Sequence, residues 1–171
     1  MPDPGVDAWK EQTTAFDRVR SVAQTVTEPR TASWIADEAA VSENTARDHL
    51  QRLVEMNVLR AFEDGTTTTY APDPLHTRMQ TLRELIDEYD HDGLLELKAD
   101  LQAEIESWQD EYNVASPAEL RALAAEAETA EETATIRQTA DDWELTAYRL
   151  GIVEEAIENY TAYSSSDSAV A

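Results

Sequence analysis

The segment from Thr31 to Leu59 constrains the fold most, because its apolar and capping residues describe two short helices joined by a tight turn. Thr31 and Ser42 are each placed to cap a helix, over about 31–40 and 43–56, since a hydroxyl can accept from the free N–H groups of a first helical turn. Asn57 is suited to end the second helix, because asparagine tolerates the left-handed conformation. Residues at helical spacing are expected to be buried, namely Ile35, Ala36, Ala39, Ala46, Leu50, Leu53 and Val54.

A helix before this segment and a hairpin after it complete the predicted N-terminal domain. Apolar residues at steps of three and four predict one continuous helix over Val6–Val26. After the segment the apolar period changes to two, so that Val58–Phe62 and Thr67–Tyr70 are predicted as strands. Asp64-Gly65 between them is a strong hairpin signal. We therefore predict a first domain over residues 6–73 with three helices and a two-stranded hairpin.

The rest of the chain is predicted to be helical. Pro72 and Pro74 mark the boundary, and breaks are expected at His91–Gly93 and Asn113–Ala115. Ser116-Pro117-Ala118-Glu119 predicts a capped helix that ends near residue 127, and a last helix is predicted over 131–163. Long helices with narrow apolar seams must pack against partners. We predict an all-α, antiparallel or coiled-coil-like extension over 75–163, followed by a disordered tail over 164–171.

The pattern Ser-x-x-Thr-Ala-Arg-x-His-Leu-x-Arg-Leu-Val-Glu-x-Asn-Val-Leu begins at Ser42, after a helix and tight turn and before a hairpin. Over residues 10–72 the chain resembles archaeal and bacterial winged-helix transcriptional regulators of the ArsR, MarR and TrmB-like type. It is similar to small haloarchaeal regulators with a helical C-terminal extension, and YNVASPAEL at Tyr112–Leu120 looks like a recurring haloarchaeal element. The resemblance implies a mainly α protein: a winged helix-turn-helix domain with a two-stranded β-hairpin wing, then the helical extension. It also implies a sequence-specific DNA-binding regulator, more often a repressor, acting as a homodimer through its C-terminal helices.

The resemblance makes the helix over 43–56 the recognition helix, whose outward residues face the DNA major groove. Because the apolar residues occupy its inner face, the outward residues are Glu43, Asn44, Arg47, Asp48 and Gln51. Arginine pairs with guanine, Asn and Gln pair with adenine, and acidic side chains accept from cytosine. Contacts to phosphate are expected from Ser42, Thr45, Arg30, Arg52, Arg60 and the hairpin residues Thr66 and Thr67. The alternative interpretation is that these residues form a solvated polar face.

Charge opposes DNA binding at first sight, because the chain has 13 basic and 36 acidic residues and a formal net charge of −23. Residues 1–80 hold eight of the basic and thirteen of the acidic residues, which leaves a net charge of only −5. The strongly acidic part therefore lies in the extension. Glu63 and Asp64 at the hairpin tip oppose insertion into the minor groove, so we expect the hairpin to lie along the DNA backbone.

Lys10 and Lys98 are the only lysines, whereas Asp, Glu, Thr and Ala are abundant. This balance resembles proteins of halophilic archaea that work in molar salt. There the Debye length falls to about 3 Å, which screens self-repulsion. We expect DNA binding in high salt, with cations bridging acidic side chains and phosphates. The alternative is an acidic protein from a mesophilic organism.

Other classes of function find little support in the sequence. With no Cys and with His49, His76 and His91 isolated, neither a metal site nor a cofactor is expected. No catalytic motif is present, so we do not expect an enzyme. No apolar run reaches the roughly 18 residues of a membrane span, and we expect a cytoplasmic protein. Two alternatives stay open: a winged-helix protein-interaction module or scaffold that does not bind DNA directly, and an all-α ligand carrier or enzyme using C-terminal aromatics, namely Trp108, Tyr112, Trp143, Tyr148, Tyr160 and Tyr163.

Overall fold

The computed structural model describes residues 4–164, which divide after Met79 into two compact units. The first unit contains α1 (Pro4–Gln12), α2 (Ala15–Thr25), β1 (Arg30–Thr31), α3 (Ala32–Ala39), α4 (Glu43–Glu55), β2 (Leu59–Asp64) and β3 (Thr67–Pro72). Helix α5 (Pro74–Glu88) begins in the first unit and ends in the second. The second unit continues with α6 (His91–Tyr112), α7 (Pro117–Leu123), α8 (Ala130–Glu158) and α9 (Tyr160–Ser164).

The prediction of one helix over Val6–Val26 is wrong, because a capping box interrupts it. The Thr14 hydroxyl accepts from the Asp17 N–H at 3.1 Å, and the Asp17 carboxylate accepts from the Thr14 N–H at 3.3 Å. These two bonds start α2 afresh at Ala15. The hydrogen bonds from the Thr14 side chain and backbone also hold the pKa of Asp17 below its usual value. The sequence signal for this break is Thr14-Ala-Phe-Asp17, and the apolar spacing, which continues across it, does not reveal it.

The predicted caps and turn between the two short helices are confirmed. The Thr31 hydroxyl accepts from the Trp34 N–H at 3.2 Å, and the Ser42 hydroxyl accepts from the Thr45 N–H at 3.2 Å. Ala40 ends α3 in the left-handed region with φ +53°, which turns the chain toward α4. The prediction for Asn57 is confirmed as well, since its φ is +58°. Local side-chain chemistry thus sets the boundaries of both helices.

The hairpin belongs to a larger sheet than the sequence indicated. Strands β2 and β3 are antiparallel neighbours from Leu59 paired with Pro72 to Asp64 paired with Thr67. The connection is therefore Gly65-Thr66, one residue later than predicted, and Gly65 has the positive φ of +61° that glycine adopts without penalty. A third strand, β1, pairs with the other edge of β3 and gives the antiparallel order β1-β3-β2. The expectation of a two-stranded sheet was incomplete, because β1 is only two residues long and is too short to show the alternating pattern of a strand.

The core of the first unit lies where α2, α3 and α4 meet the sheet. Its buried residues are Val19, Ala23, Ala32, Ile35, Ala36, Ala39, Ala46, Leu50, Leu53, Val58 and Leu59. Val54, predicted to be buried, is only partly buried and packs against this core. Arg18 is also buried, with 8% of its surface exposed. Its Nε donates to the Ala39 carbonyl at 3.0 Å and its Nη1 donates to the Thr13 carbonyl at 2.8 Å.

Several boundaries in the second unit differ from the predictions. The break after α5 falls before His91, because Asp90 caps α6 by accepting from the Gly93 N–H at 2.7 Å. Helix α7 ends at Leu123 rather than near residue 127, and α8 ends at Glu158. Ser116 caps α7 as predicted, whereas Glu119 accepts from the Ala115 N–H at 2.8 Å instead of closing the box on Ser116.

The apolar residues of the second unit form two clusters. The first contains Leu82, Leu85, Leu94, Leu101, Ile152, Val153 and Ala156, and the second contains Leu120, Ala124, Ile136, Ala140 and Trp143. Leu75 and Met79, two apolar residues of α5, are exposed. Ser164 belongs to α9, and the rest of the predicted disordered tail lies outside the described residues. None of the helices within residues 4–164 combines the length and the apolarity that crossing a membrane requires.

Candidate nucleic-acid interface

Helix α4 presents a polar row on the side opposite its buried residues. An α-helix turns by about 100° per residue, so the positions opposite Ala46, Leu50 and Leu53 are those of Asn44, Asp48, Gln51 and Glu55. All four side chains are exposed. The Gln51 amide donates to the Glu55 carboxylate at 3.2 Å. This row offers amide donors and acceptors together with two carboxylates.

Arg47 lies on one flank of α4, outside this outermost row. Its Nε donates to Glu43 Oε1 at 3.1 Å, and its Nη2 bonds to the same oxygen. The hydrogen bond with Glu43, followed by the charge of that carboxylate, raises the pKa of Arg47. The guanidinium expected to read guanine is therefore engaged within the protein, although 61% of the side chain is exposed.

A groove of about 260 Å³ lies beside this flank, between α4, the start of α3 and β3. Hydroxyl groups dominate its lining, which consists of Thr31, Ala32, Ser33, Glu43, Arg47, Thr66, Thr67, Thr68 and Tyr70. Thr66 and Thr67, predicted as phosphate ligands, are therefore brought together with Arg47. Ser33, Thr68 and Tyr70 were missed, because the sequence does not reveal that β3 passes the first turns of α3 and α4.

The start of α4 uses its hydroxyl groups internally. Besides capping the helix, Ser42 Oγ lies 2.8 Å from Thr45 Oγ1. Ser42 is exposed and Thr45 is partly buried. Ser42 and Thr45, both predicted to bind phosphate, lie at the N-terminus of α4, where unpaired backbone N–H groups favour anions.

The other three arginines of the predicted site have different surroundings. Arg52 lies on the opposite flank of α4, with its guanidinium 5.6 Å from the Phe16 ring centroid. Arg30 stacks on Trp34 at 4.8 Å. A guanidinium stacked on a ring keeps its in-plane N–H groups directed outward. These two arginines are apart from the groove lining.

Arg60 is held at the end of the sheet rather than presented to a ligand. Its Nε donates to Asp73 Oδ2 at 2.7 Å. Asp73 also accepts from the Leu75 and His76 N–H groups at 2.9 and 3.0 Å, so it caps the first turn of α5. The backbone bond from His76, and next the bond from Arg60, lower the pKa of Asp73. This pairing favours a structural role for Arg60 over the predicted phosphate contact.

Besides the polar row of α4, the potential ligand groups are the histidines and the C-terminal aromatics. Within residues 4–164, no group of three or more His, Asp or Glu side chains is arranged to hold a metal ion. Of the six C-terminal aromatics, Trp108 and Trp143 pack together in the second apolar cluster, with ring centroids 6.2 Å apart. Tyr160 packs on His91, whereas Tyr148 and Tyr163 are exposed. Tyr112 alone among them borders an open concavity of about 690 Å³ at the ends of α6 and α7.

The structure defines a mainly helical protein whose first unit combines two short helices, a tight turn and a small three-stranded antiparallel sheet, an arrangement compatible with a winged helix-turn-helix fold. The chain belongs to a family of unknown function (DUF7342), whose model matches residues 13–162. No curated protein matches the sequence. A solved structure described as "Crystal Structure of a transcriptional regulator" aligns over 92% of this chain and 94% of its own, with 14% sequence identity and a TM-score of 0.36.

Proposed function

We propose that this protein is a sequence-specific DNA-binding transcriptional regulator of the winged helix-turn-helix type, similar to ArsR, MarR and TrmB-like regulators. The observation that carries the proposal is the exposed polar row of α4 beside the hydroxyl-lined groove. A helix with amide side chains on its outer face fits the major groove of B-DNA. The neighbouring sheet then follows the phosphate backbone. We propose repression by occupancy of a promoter, in the cytoplasm, without catalysis of a reaction.

We assign base reading to three residues of the polar row, Asn44, Asp48 and Gln51. Asn44 and Gln51 can each form a bidentate pair with adenine, and Asp48 can accept from the amino group of cytosine. We therefore expect a site richer in A·T pairs than an arginine-based readout would select. Glu55, at the C-terminal end of the row, repels phosphates and so limits how far α4 enters the major groove of the DNA.

The test is selection of duplexes from a randomised library, followed by anisotropy measurements with a selected duplex in KCl. Asn44→Ala and Gln51→Ala should each cost about 1–3 kcal/mol of binding free energy and relax the preference at one base pair. Gln24→Ala is the matched control, because Gln24 is an exposed glutamine on α2. Equal affinity for every duplex, with no effect of either substitution on α4, would refute the sequence-specific function.

We propose that binding is adapted to high salt. Ordinary DNA-binding proteins lose affinity as salt rises, because the release of condensed counterions into a more concentrated salt solution gains less free energy. A first unit with a net charge near −5 should instead bind poorly in millimolar KCl and hold or gain affinity toward molar KCl, as cations bridge its carboxylates to phosphates. A steady fall of affinity over that range, with the slope of counterion release, would contradict this part.

We propose that α8 contributes to a homodimer. Leu145, Tyr148 and Ile152 follow one another along one face of α8, at steps of three and four. Ile152 is buried in its own unit, whereas Leu145 and Tyr148 are 67% and 48% exposed. A second copy that covers the exposed end would bury this row completely. Sedimentation velocity in KCl should show a dimer for the wild type and for the control Ala134→Asp, and a monomer for Leu145→Asp; a monomeric wild type refutes the dimer.

The runner-up is a protein-interaction module or scaffold. It would leave the polar row of α4 for a protein partner and require no DNA. Failure to select any duplex between millimolar and molar KCl, by a protein whose circular dichroism shows it folded, would favour the runner-up.

A further inference from the structure

We infer that the groove beside α4 seats one phosphate of the DNA backbone, with Arg47 as its charged ligand and Glu43 as an internal competitor for Arg47. The inference rests on the proposed DNA-binding function and refines it. It assigns Arg47 to phosphate binding rather than to guanine. It also explains how an acidic unit offers a favourable place to a polyanion.

The lining of the groove suits a phosphate. Three consecutive threonines of the hairpin face it together with Ser33 of the first turn of α3, and their hydroxyls are neutral hydrogen-bond donors. Ser33 is also in the first turn of α3, where the backbone N–H groups have no carbonyl acceptor in a preceding helical turn. Such donors bind phosphate oxygens without requiring a surplus of positive charge. Arg47 is the sole cation among the lining residues.

The position of Arg47 separates it from base reading. It lines the groove on the flank of α4, whereas Asn44, Asp48 and Gln51 occupy the outermost row. When this row lies toward base edges, the adjacent flank lies toward one wall of the major groove, which is formed by phosphates. Guanidinium binds phosphate through two parallel N–H bonds, as it binds a carboxylate.

Glu43 occupies the place that this phosphate would take on Arg47. Its Oε1 accepts from both Nε and Nη2 of the guanidinium within the same groove. The carboxylate keeps Arg47 oriented in the free protein, and DNA must displace it. Exposed ion pairs of this kind are weak, so displacement costs little. Removing the carboxylate should therefore strengthen binding slightly and for every duplex alike.

The experiment uses a selected duplex in which each phosphate in turn is replaced by a neutral methylphosphonate. At one position the wild type should lose about tenfold in affinity, whereas Arg47→Ala, already about tenfold weaker, should lose nothing further. Replacement of each guanine by 7-deazaguanine should cost the wild type and Arg47→Ala equally. Coupling of Arg47→Ala to a 7-deazaguanine position, or to no position, overturns the inference while leaving the DNA-binding function intact. Failure to bind any duplex overturns both.

Glu43→Gln tests the competitor. It should tighten binding by about two- to fivefold on specific and random duplexes alike. Glu38→Gln changes the net charge equally from an exposed position of α3 outside the groove lining, and it should change affinity less. Equal effects of the two substitutions would reduce Glu43 to a general repulsive charge and overturn its role as competitor.

Discussion

Substitution of Arg18 should destabilise the first unit more than substitution of any exposed arginine in that unit. The guanidinium is 8% exposed and forms two hydrogen bonds to backbone carbonyls, those of Ala39 and Thr13. Ala39 is the last residue of α3 and Thr13 lies in the break before α2, so one side chain satisfies carbonyls at two helix ends. Arg18→Met keeps much of the packing volume and leaves both acceptors without a donor.

The magnitude follows from the two bonds. A hydrogen bond to a charged group contributes about 1.5–3 kcal/mol, and the cation–π contact with Trp9, at 5.8 Å, adds about 0.5 kcal/mol. Relief from burying the charge offsets part of this sum. We expect Arg18→Met to cost about 3 kcal/mol, with Arg18→Lys between it and the wild type, because lysine keeps the charge but not the planar fork.

Urea unfolding in KCl, followed by circular dichroism and tryptophan fluorescence, measures this loss. The matched control is Arg20→Met, because Arg20 is exposed on the same helix and should change stability by less than about 0.5 kcal/mol. Equal unfolding midpoints for Arg18→Met and Arg20→Met would refute the reasoning, because the two hydrogen bonds of Arg18 would then contribute nothing.

Three further substitutions test other parts of the first unit. Ala40→Gly should raise the free energy of unfolding by about 1 kcal/mol, measured by urea unfolding, because glycine adopts the left-handed φ of +53° without the penalty of a Cβ. Thr14→Ala should lower it by about 1 kcal/mol in the same assay, through loss of the capping box. The pKa of Asp73 is lowered on folding, so its contribution is present above the ordinary value of 3.8 and is lost as pH falls toward the lower folded-state value. The stability difference between wild type and Asp73→Asn should therefore shrink below that pH in acid titrations, and a constant difference would contradict it.

Helix boundaries could be predicted from the sequence where a single residue acts on the backbone within a few positions of itself. Thr31, Ser42 and Asn57 end or start helices through bonds and φ values that depend on immediate neighbours. The same chemistry operated at Thr14, where the cap outweighed an apolar pattern that continued across it. Such caps can be predicted from the sequence because the hydroxyl and the N–H group from which it accepts are only three residues apart.

The candidate site was predicted in part. The outward position of Asn44, Asp48 and Gln51 followed from the helical period of the apolar residues. The pairing of Arg47 with Glu43 can also be predicted from the sequence, since residues four apart on a helix are neighbours. The pairing of Arg60 with Asp73 cannot be predicted from the sequence, because it depends on the register of β2 on β3.

The sequence by itself determined the two short helices, their caps, the glycine turn and the polar face of α4, since each depends on contacts within a few residues or on one helical period. Only the tertiary structure decided that Arg18 is buried, that β1 joins the hairpin, and that threonines of β3 and the first turns of α3 and α4 enclose one groove. These features join residues far apart in the chain. The energy that places them comes from packing and from satisfying buried carbonyls, which no local pattern records.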